Sequence, residues 1–379
     1  MNLNQVRALY KSLKSGGLAI KYPFLVLICL LVSNQMVSAG TTMGQVSSLA
    51  GNVVPGVTDA VAIAAQSGSI ILRRDGTVIC RGDNSKGQTN VPAGLNNVVA
   101  VAVGEEHSMV LKKDGTVLSW GGLPTAPGVS NNVIAIAAGG SEAGGFSLIL
   151  KQNGTVFGWT KNNYWGQTSV PPGLNNVIAI AAGAYHSLAL KSDGTVVGWG
   201  FNYMGQVNIP PGLTNVVAVS AGGYHSMALK RDGTVVAWGM NDYGEATVPS
   251  GLSNVVAIAA GGYHSVALKS NGKVVAWGEP TAANVSASLS NVVAVAGGYY
   301  GSTCITAPLE INCVEVTNQN RTVNFHTFFG QQYAVEYSPD LAPNSWALLS
   351  GSTISGNGYD VSVIDTAAIV GPRFYRLKQ

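Results

Sequence analysis

The hydrophobic pattern of the chain consists of short runs of β-branched and small residues separated by turn signals. In one unit, NVVAVSAGG (Asn215–Gly223) is continuously apolar, HSMALK (His225–Lys230) alternates, and TVVAWG (Thr234–Gly239) follows an Asp-Gly step. A fourth segment, ATVPSGL (Ala246–Leu252), contains a proline. An Asp-Gly step between β-rich runs predicts a hairpin, and proline favours a sheet edge. The unit therefore predicts four strands, A to D.

The unit recurs along the chain at a nearly constant period. Its Asp/Asn-Gly turn begins at six positions separated by 39, 39, 40, 39 and 39 residues: Asp75, Asp114, Asn153, Asp193, Asp232 and Asn271. A fixed period of this size is typical of a solenoid or a propeller. A four-stranded unit with an edge-like outer strand favours a propeller blade, whereas β-helices usually have much shorter rungs.

The A-strand motif occurs seven times, so the sequence predicts seven blades. NVVAVAGGYYGSTCIT (Asn291–Thr306) supplies strands A and B of the seventh blade. MGQV (Met43–Val46) repeats MGQV (Met204–Val207) and is expected to supply its strand D, which closes the ring. Strand C has two candidates, the residues before Thr41 or EINCVEV (Glu310–Val316), and we favour the second.

Both ends of the chain differ from the repeats. Basic residues, the apolar run FLVLICLLV (Phe24–Val32) and VSA (Val37–Ala39) predict a signal peptide over residues 1–39, with an uncleaved anchor as the alternative. We therefore expect an exported protein, extracellular, periplasmic or at the cell surface. After Pro308 the repeat stops, and short strand patterns continue. The expected fold is all-β, with a seven-bladed β-propeller over residues 41–307 followed by a small β-sandwich-like domain over residues 308–379.

Composition and charge narrow the classes of function. Charged residues make up 10% of the chain, the chain has 48 glycines, and the formal net charge is +3. Low charge and many glycines exclude a disordered chain and suit tight turns. The positive charge is small and evenly spread along the sequence, so we expect no nucleic-acid partner.

The residues that could carry chemistry are better explained by the repeat. One B-strand position holds histidine in four units but Phe146 in another: His107, His186, His225 and His264. Phenylalanine cannot act as a base or ligand, so we expect packed histidines bonded to nearby backbone. Turn chemistry explains the Asp-Gly steps, and packing between blades explains the strand-C tryptophans. The sequence predicts no catalytic, cofactor-binding or metal-binding residues, and no enzyme.

The loops at the two ends of the strands differ in composition. The B–C turns and D–A loops are polar and repetitive, flanked by Lys112, Lys113, Lys191 and Arg231. The A–B turns and C–D loops carry aromatic residues and methionine, the composition of interface cores. The alternative is that these rings simply pack over neighbouring blades. The predicted partner-binding residues are Glu106, Tyr164, Trp165, Tyr185, Phe201, Tyr203, Met204, Tyr224, Met240, Tyr243, Tyr263, Tyr299 and Tyr300.

The unit AGxxHSxALKxDGxVxxWGxNxxGQ resembles the repeats of the regulator of chromosome condensation family, which form seven-bladed propellers. Its D segment resembles more closely the secreted bacterial members, including the propeller inhibitors of β-lactamase. The nuclear members of the family are guanine-nucleotide exchange factors. Because we expect export, we expect neither that activity nor a guanine-nucleotide-binding partner. The C-terminal segment resembles the fibronectin-III-like modules of exported bacterial proteins.

These observations predict an exported, non-enzymatic, monomeric scaffold. It would bind an extracellular or envelope protein through the aromatic loops, as an inhibitor or adhesin. One alternative is a cell-surface carbohydrate-binding propeller, in which the same aromatic residues stack on sugars. Another is a polysaccharide-active hydrolase or lyase that uses the central channel, for which the sequence offers Glu105, Glu106 and Glu142.

Overall fold

The computed structural model describes residues 44–123, 131–141 and 144–306, and C-terminal strands between residues 311 and 378. The predicted signal peptide lies outside the described residues. The described strands up to Thr306 form one compact unit, and those from Ile311 onward form a second. The predicted limits at residues 41, 307 and 308 also fall outside the described range, so they stay predictions.

Seven three-stranded antiparallel sheets make up the first unit. Six of them, blades 1 to 6, are formed by consecutive strands: β2 (Ala60–Ala65), β3 (Gly68–Arg73) and β4 (Val78–Gly82); β5 (Val98–Val103), β6 (His107–Lys112) and β7 (Val117–Gly121); β8 (Val133–Ser141), β9 (Gly144–Lys151) and β10 (Val156–Thr160); β11 (Val177–Ala182), β12 (His186–Lys191) and β13 (Val196–Gly200); β14 (Val216–Ala221), β15 (His225–Lys230) and β16 (Val235–Gly239); β17 (Val255–Ala260), β18 (His264–Lys269) and β19 (Val274–Gly278).

Blade 7 joins the two ends of the repeat region. Its inner strands are β20 (Val292–Gly297) and β21 (Ser302–Thr306), and its third strand is β1 (Gln45–Ser48). Contacts between the first strands of successive blades run in a closed circle from β2 to β20 and back to β2. The all-β fold with seven propeller blades is confirmed. The described residues contain no helix long and apolar enough to cross a membrane.

The strand that closes the ring differs from both candidates. Val46 of β1 pairs with Ile305 of β21, so this segment takes the strand-C position and not the predicted strand-D position. The segment Glu310–Val316 contributes β22 (Ile311–Val316) to the C-terminal unit instead. Val46 and Leu49 are buried in the same core as Ile305. Burial of these side chains therefore selects the pairing.

Where the structure describes the predicted fourth strands of blades 1 to 6, they are not strands. The segment 246–252 forms successive turns, in which Leu252 donates its backbone N–H to the Pro249 carbonyl. Proline has no backbone N–H to donate to a neighbouring strand. These segments instead form isolated hydrogen bonds to side chains of the next blade. The carbonyl of Gln206, for example, accepts hydrogen bonds from Ser226 and Trp238.

Local sequence explains how each inner strand begins. An asparagine with positive φ, between 54° and 58°, precedes the inner strand of six blades, and asparagine tolerates this left-handed conformation: Asn97, Asn132, Asn176, Asn215, Asn254 and Asn291. The inner strands that follow are built from valine, isoleucine and alanine, and most of these side chains are buried between neighbouring blades. Small and β-branched residues suit a strand that is covered on both faces.

The second unit contains two further sheets. In one, β22 pairs with β23 (Arg321–His326), which pairs with β27 (Asp360–Asp365). In the other, β24 (Gln332–Ser338) pairs with three strands: β25 (Ala347–Leu348), β26 (Ile354–Ser355) and β28 (Phe374–Lys378). Val323, Tyr333 and Val335 are buried.

Candidate functional site

The A–B turns of the blades form a hydrogen-bonded ring at one end of the propeller. In five steps around the ring, a turn donates a backbone N–H to a carbonyl of the next turn, at 3.0–3.2 Å: Gly140 to Gly183, Ala184 to Gly222, Gly223 to Gly261, Gly262 to Gly298, and Tyr299 to Gln66. The turns are therefore held close together around the axis. Because backbone pairs with backbone, this platform is rigid.

Glycine is required in this ring by close approach. A Cβ at Gly222 would lie 2.4 Å from the carbonyl oxygen of Gly261 and 2.6 Å from the ring of His225. A Cβ at Gly183 would lie 2.5 Å from the carbonyl oxygen of Gly222. No other residue allows the turns to meet in this way. The recurring glycines of the A–B turns therefore build the platform that carries the neighbouring aromatic residues.

Four tyrosines stand side by side on this platform. The ring centroids of Tyr185 and Tyr224 are 5.7 Å apart, those of Tyr224 and Tyr263 are 6.3 Å apart, and those of Tyr263 and Tyr299 are 5.5 Å apart. These residues come from blades 4, 5, 6 and 7, so the contacts cross from blade to blade. Aromatic pairs at such distances stabilise each other beyond their simple burial.

Residues of the C–D loops extend this row outward. Trp165 lies 4.7 Å from Phe201, which lies 6.2 Å from Tyr224, and Tyr243 lies 5.7 Å from Tyr263. We name the connected set the aromatic arc; it spans blades 3 to 7 and contains Tyr164, Trp165, Tyr185, Phe201, Tyr203, Tyr224, Tyr243, Tyr263, Tyr299 and Tyr300. All ten are among the predicted partner-binding residues.

The arc combines ring-to-ring packing with exposure. Tyr164 is 78% exposed, Tyr203 83% and Tyr300 79%, while the four inner tyrosines are half-buried. The alternative of rings packed over neighbouring blades therefore describes the inner tyrosines well, yet these rings remain accessible. Large apolar surface that is both rigid and exposed marks an interaction surface.

Three of the predicted partner-binding residues are not members of the aromatic arc. Met204 is 39% exposed, and Met240 is buried. Glu106 lies on blade 2, half-buried, with a carboxylate oxygen 4.0 Å from Lys86 Nζ. Glu106 therefore belongs to a polar sector of this end of the propeller.

The polar sector fills the part of the ring that the aromatic arc leaves open. Gln66 of blade 1 donates its side-chain amide to the carbonyl of Gly140 in blade 3, at 3.3 Å. Ser67 donates its hydroxyl to the carbonyl of Glu105, at 3.0 Å. The Ser141 hydroxyl lies 2.5 Å from the Tyr185 hydroxyl, where the two sets of residues meet. The platform thus has an aromatic side and a polar, partly acidic side.

Two of the inner tyrosines, Tyr263 and Tyr299, are hydrogen-bonded to each other through their hydroxyl groups. The Tyr263 and Tyr299 hydroxyls lie 3.1 Å apart. Burial, and then the bond to Tyr263, raise the pKa of Tyr299 above its ordinary value. The phenol therefore stays protonated and acts as a neutral hydrogen-bond donor or acceptor.

The four repeated histidines lie between blades and do not reach the arc. Each Nε2 lies within 2.6–2.9 Å of a serine hydroxyl in the next blade: His107 with Ser147, His186 with Ser226, His225 with Ser265, and His264 with Ser302. Burial lowers the pKa of His186 and His225 to about 3, and of His107 and His264 to about 4. The expected packing role holds, but the expected backbone partner is wrong, because the partner is a serine side chain.

Turn and packing roles also account for the other candidate groups. Asp232 Oδ1 accepts hydrogen bonds from the Thr234 backbone N–H and hydroxyl, at 3.0 and 2.6 Å, while Gly233 has a φ of 80°. Trp238 donates its indole N–H across the blade boundary to the Gln206 carbonyl, at 2.9 Å. In the described part of the chain, no group of three or more His, Cys, Asp or Glu side chains could hold a metal ion.

These features define a seven-bladed β-propeller with one aromatic face. The family model "Regulator of chromosome condensation (RCC1) repeat" matches residues 98–122, 177–206, 216–245 and 255–281. The structure of Prp20p from Saccharomyces cerevisiae superposes with a TM-score of 0.61 at 19% identity, over 73% of this chain and 94% of that one. Four segments of the chain therefore match the repeat model of this family, and the propeller has the fold of Prp20p.

Two curated relatives match part of the chain. The guanine nucleotide exchange factor SRM1 of Saccharomyces cerevisiae is 31% identical over 155 residues, which cover 29% of this chain and 31% of SRM1. Protein pim1 of Schizosaccharomyces pombe is 34% identical over 106 residues, which cover 27% of this chain and 16% of pim1. The chain thus spans less than a third of the length of either relative.

The relatives overturn two expectations about partners. Because SRM1 is named as a guanine nucleotide exchange factor, it is wrong to exclude that activity or a guanine-nucleotide-binding partner for this chain. Prp20p was described with its binding to Gsp1p and histones. The predicted function, an inhibitor or adhesin that binds an envelope protein, is wrong for the same reason.

The expectation of export is contradicted as well. The matched relatives SRM1 and pim1 come from yeasts, and SRM1 is named as a guanine nucleotide exchange factor, which points against an exported protein. The segment that predicted export lies outside the described residues. The repeat pattern carries no information on export, so the prediction depended on that segment alone.

Proposed function

We propose that the propeller binds a guanine-nucleotide-binding protein through the aromatic arc and acts on it by non-covalent contact, as an exchange factor. The observation that carries this proposal is the arc itself, ten aromatic side chains in continuous contact at one end of the propeller. Aromatic side chains dominate the binding energy of protein interfaces. The name of the relative SRM1 supports the class of partner.

The geometry of the arc suits a protein partner. The inner tyrosines are held by their neighbours, so their ordering costs little entropy on binding. Around them, Tyr164, Tyr203 and Tyr300 are exposed enough to enter pockets of a partner. The polar sector beside the arc, with Glu105 and Glu106, would set the orientation of that partner.

Nucleotide exchange makes and breaks no covalent bond, so it needs a binding surface and no catalytic group. The partner loses its nucleotide when the propeller binds the nucleotide-free partner more tightly than the nucleotide-loaded partner. The described face offers rigid aromatic surface for that purpose. We therefore propose that the chain is not an enzyme in the covalent sense.

The test uses Gsp1p loaded with a fluorescent GDP analogue. The full chain should accelerate loss of the fluorescent nucleotide, and the double variant Phe201→Ala and Tyr224→Ala should lose most of that effect, by about tenfold or more. Both side chains lie at the centre of the arc. Their truncation opens a gap among four remaining rings, those of Trp165, Tyr185, Tyr203 and Tyr263. Stopped-flow fluorescence measures the release rate.

A matched control variant is Val99→Ala at the opposite end of the strands, where Val99 is 49% exposed. It should leave the release rate unchanged. If the chain binds Gsp1p but does not accelerate nucleotide release, the exchange activity is contradicted and only recognition of the partner remains. Absence of both binding and acceleration by the parent chain would contradict the proposal.

We also propose that the C-terminal unit is a fibronectin-III-like module. Its two sheets, one containing β22, β23 and β27 and the other built on β24, support this assignment. A sandwich requires the two sheets to face each other across a shared core. A crystal structure of the full chain in which they do not face each other would contradict the assignment.

A further inference from the structure

The end of the propeller opposite the aromatic arc carries most of its positive charge. Along the sequence the charges look evenly spread, but the fold segregates them. In the propeller unit, the B–C turns and the adjoining strand ends hold nine cationic residues: Arg73, Arg74, Lys112, Lys113, Lys151, Lys191, Lys230, Arg231 and Lys269. The carboxylates at the same end are Asp59, Asp75, Asp114, Asp193 and Asp232. We name this end the basic face.

The described residues of the arc end show the reverse balance. Their cations are Arg81, Lys86 and Lys161. Their acids are Asp83, Glu105, Glu106, Asp242, Glu245 and Glu279. The small net charge of the chain therefore conceals two ends of opposite sign.

The cations of the basic face form a ring. The last residue of the second strand is basic in each of the first six blades: Arg73, Lys112, Lys151, Lys191, Lys230 and Lys269. Blades are related by rotation about the propeller axis, so equivalent residues lie on a circle in one plane. The residue after this position is an exposed cation in three blades: Arg74, Lys113 and Arg231. The basic face is thus a broad, level ring of charge.

The turn aspartates neutralise only part of this ring. Lys191 and Lys230 lie 3.1 and 3.4 Å from the carboxylates of Asp193 and Asp232. In blades 3 and 6, however, Asn153 and Asn271 stand at the aspartate position. Asn153 still accepts the Thr155 backbone N–H at 3.2 Å, so the turn is preserved without the negative charge. The turn therefore does not require the charge, and an excess of cations remains.

We propose that the basic face binds the surface of an anionic lipid bilayer. A level ring of cations can approach a flat anionic surface with several turns at once, whereas a nucleic-acid duplex would meet only a strip of it. The described B–C turns also carry no aromatic side chain that could stack on a base. Each lysine or arginine near an anionic membrane strengthens binding by about fivefold. In this orientation the aromatic arc faces away from the bilayer.

Sedimentation with lipid vesicles tests the proposal on the full chain. The chain should bind vesicles with about 30% phosphatidylserine in phosphatidylcholine at about 0.1 M salt, and not vesicles of phosphatidylcholine alone. The triple variant Arg74→Glu, Lys113→Glu and Arg231→Glu should bind at least about tenfold more weakly. These side chains are exposed, and an unchanged thermal melting curve verifies that the variant folds.

The arc end provides a control of equal charge. The triple variant Arg81→Glu, Lys86→Glu and Lys161→Glu changes the net charge by the same amount, and its vesicle binding should stay within about twofold of the parent. An equal loss in both triple variants would show an effect of net charge alone and overturn the proposal. Equal binding to uncharged vesicles would overturn it too. So would binding to a DNA duplex without binding to the anionic vesicles.

Discussion

At the residue scale, the repeated glycine, histidine and serine of one motif serve the joints between blades. Gly222 permits contact with the carbonyl of Gly261, and His225 reaches Ser265 in the next blade. Ser226 follows His225 in the sequence, and its hydroxyl forms a hydrogen bond with Nε2 of His186 in the previous blade. One short motif therefore bonds a blade to both neighbours, which explains its repetition.

Gly222→Ala should destabilise the propeller although the change adds one methyl group. The new Cβ would lie 2.4 Å from a backbone oxygen that belongs to the rigid ring of turns. Overpacking of this kind costs about 1–3 kcal/mol. The free energy of unfolding, from urea denaturation followed by tryptophan fluorescence, measures the loss.

Gly301→Ala is the matched control for this substitution. Gly301 lies in the equivalent region of blade 7, and a Cβ there meets no atom within 4 Å. Its stability should stay within about 0.5 kcal/mol of the parent. Equal effects of the two substitutions would refute the argument from close approach.

The buried histidines should make the propeller sensitive to acid. Their pKa values in the fold, about 3 to 4, lie below the ordinary value of 6.5. The folded state therefore favours the neutral ring, and its stability is complete above about pH 6.5 and falls as the pH drops toward the folded pKa. Nδ1 of each ring has no partner, so protonation would leave a buried N–H unpaired.

His186→Phe tests this cause, because blade 3 already holds a buried Phe146 at the equivalent position. The variant should lose about 2 kcal/mol less stability than the parent between about pH 7 and pH 5. Urea titrations at the two pH values give the difference. If parent and variant lose the same amount, the acid sensitivity has another origin.

At the scale of elements, one strand decides whether the propeller is a ring or an open array. β1 comes from the beginning of the repeat region and pairs with β21 from its end, with Ser47 opposite Cys304. The repeat pattern revealed that an end must supply this strand. The repeat pattern assigned Met43–Val46 to the outer strand D, because the same sequence MGQV at Met204–Val207 lies in an outer segment of the repeat.

Ser47→Cys should form a disulfide with the free, buried Cys304 and lock the ring. Directly opposed residues in an antiparallel pair have Cα atoms within the range that a disulfide needs. A cross-link over so long a loop should raise the free energy of unfolding by about 2–4 kcal/mol. Thiol titration and thermal melting under oxidising conditions measure both effects.

Ser47→Ala controls for the loss of the hydroxyl at this position. This variant should keep the free thiol of Cys304, and its free energy of unfolding should not rise. If Ser47→Cys instead gains one free thiol under oxidising conditions, the two positions do not face each other and the closing register is wrong.

At the scale of the whole molecule, the fold separates two surfaces that are interleaved along the sequence. Tyr224 and Arg231 are seven residues apart, yet a strand between them places them at opposite ends of the propeller. The aromatic end and the basic end can therefore engage different partners at the same time. The proposed protein partner and the proposed bilayer surface make use of this separation.

The sequence by itself determined the period, the number of blades and the end of the strands that carries the aromatic loops, because alternating hydrophobicity and Asp/Asn-Gly turns are local signals. All ten residues of the aromatic arc were predictable for the same reason. Only the tertiary structure decided that the outer segments are turns, that β1 closes the ring, that serines bond the histidines, and that charge divides between the ends. Those features depend on contacts between units about 40 residues apart, and a local pattern does not encode which distant group will lie opposite.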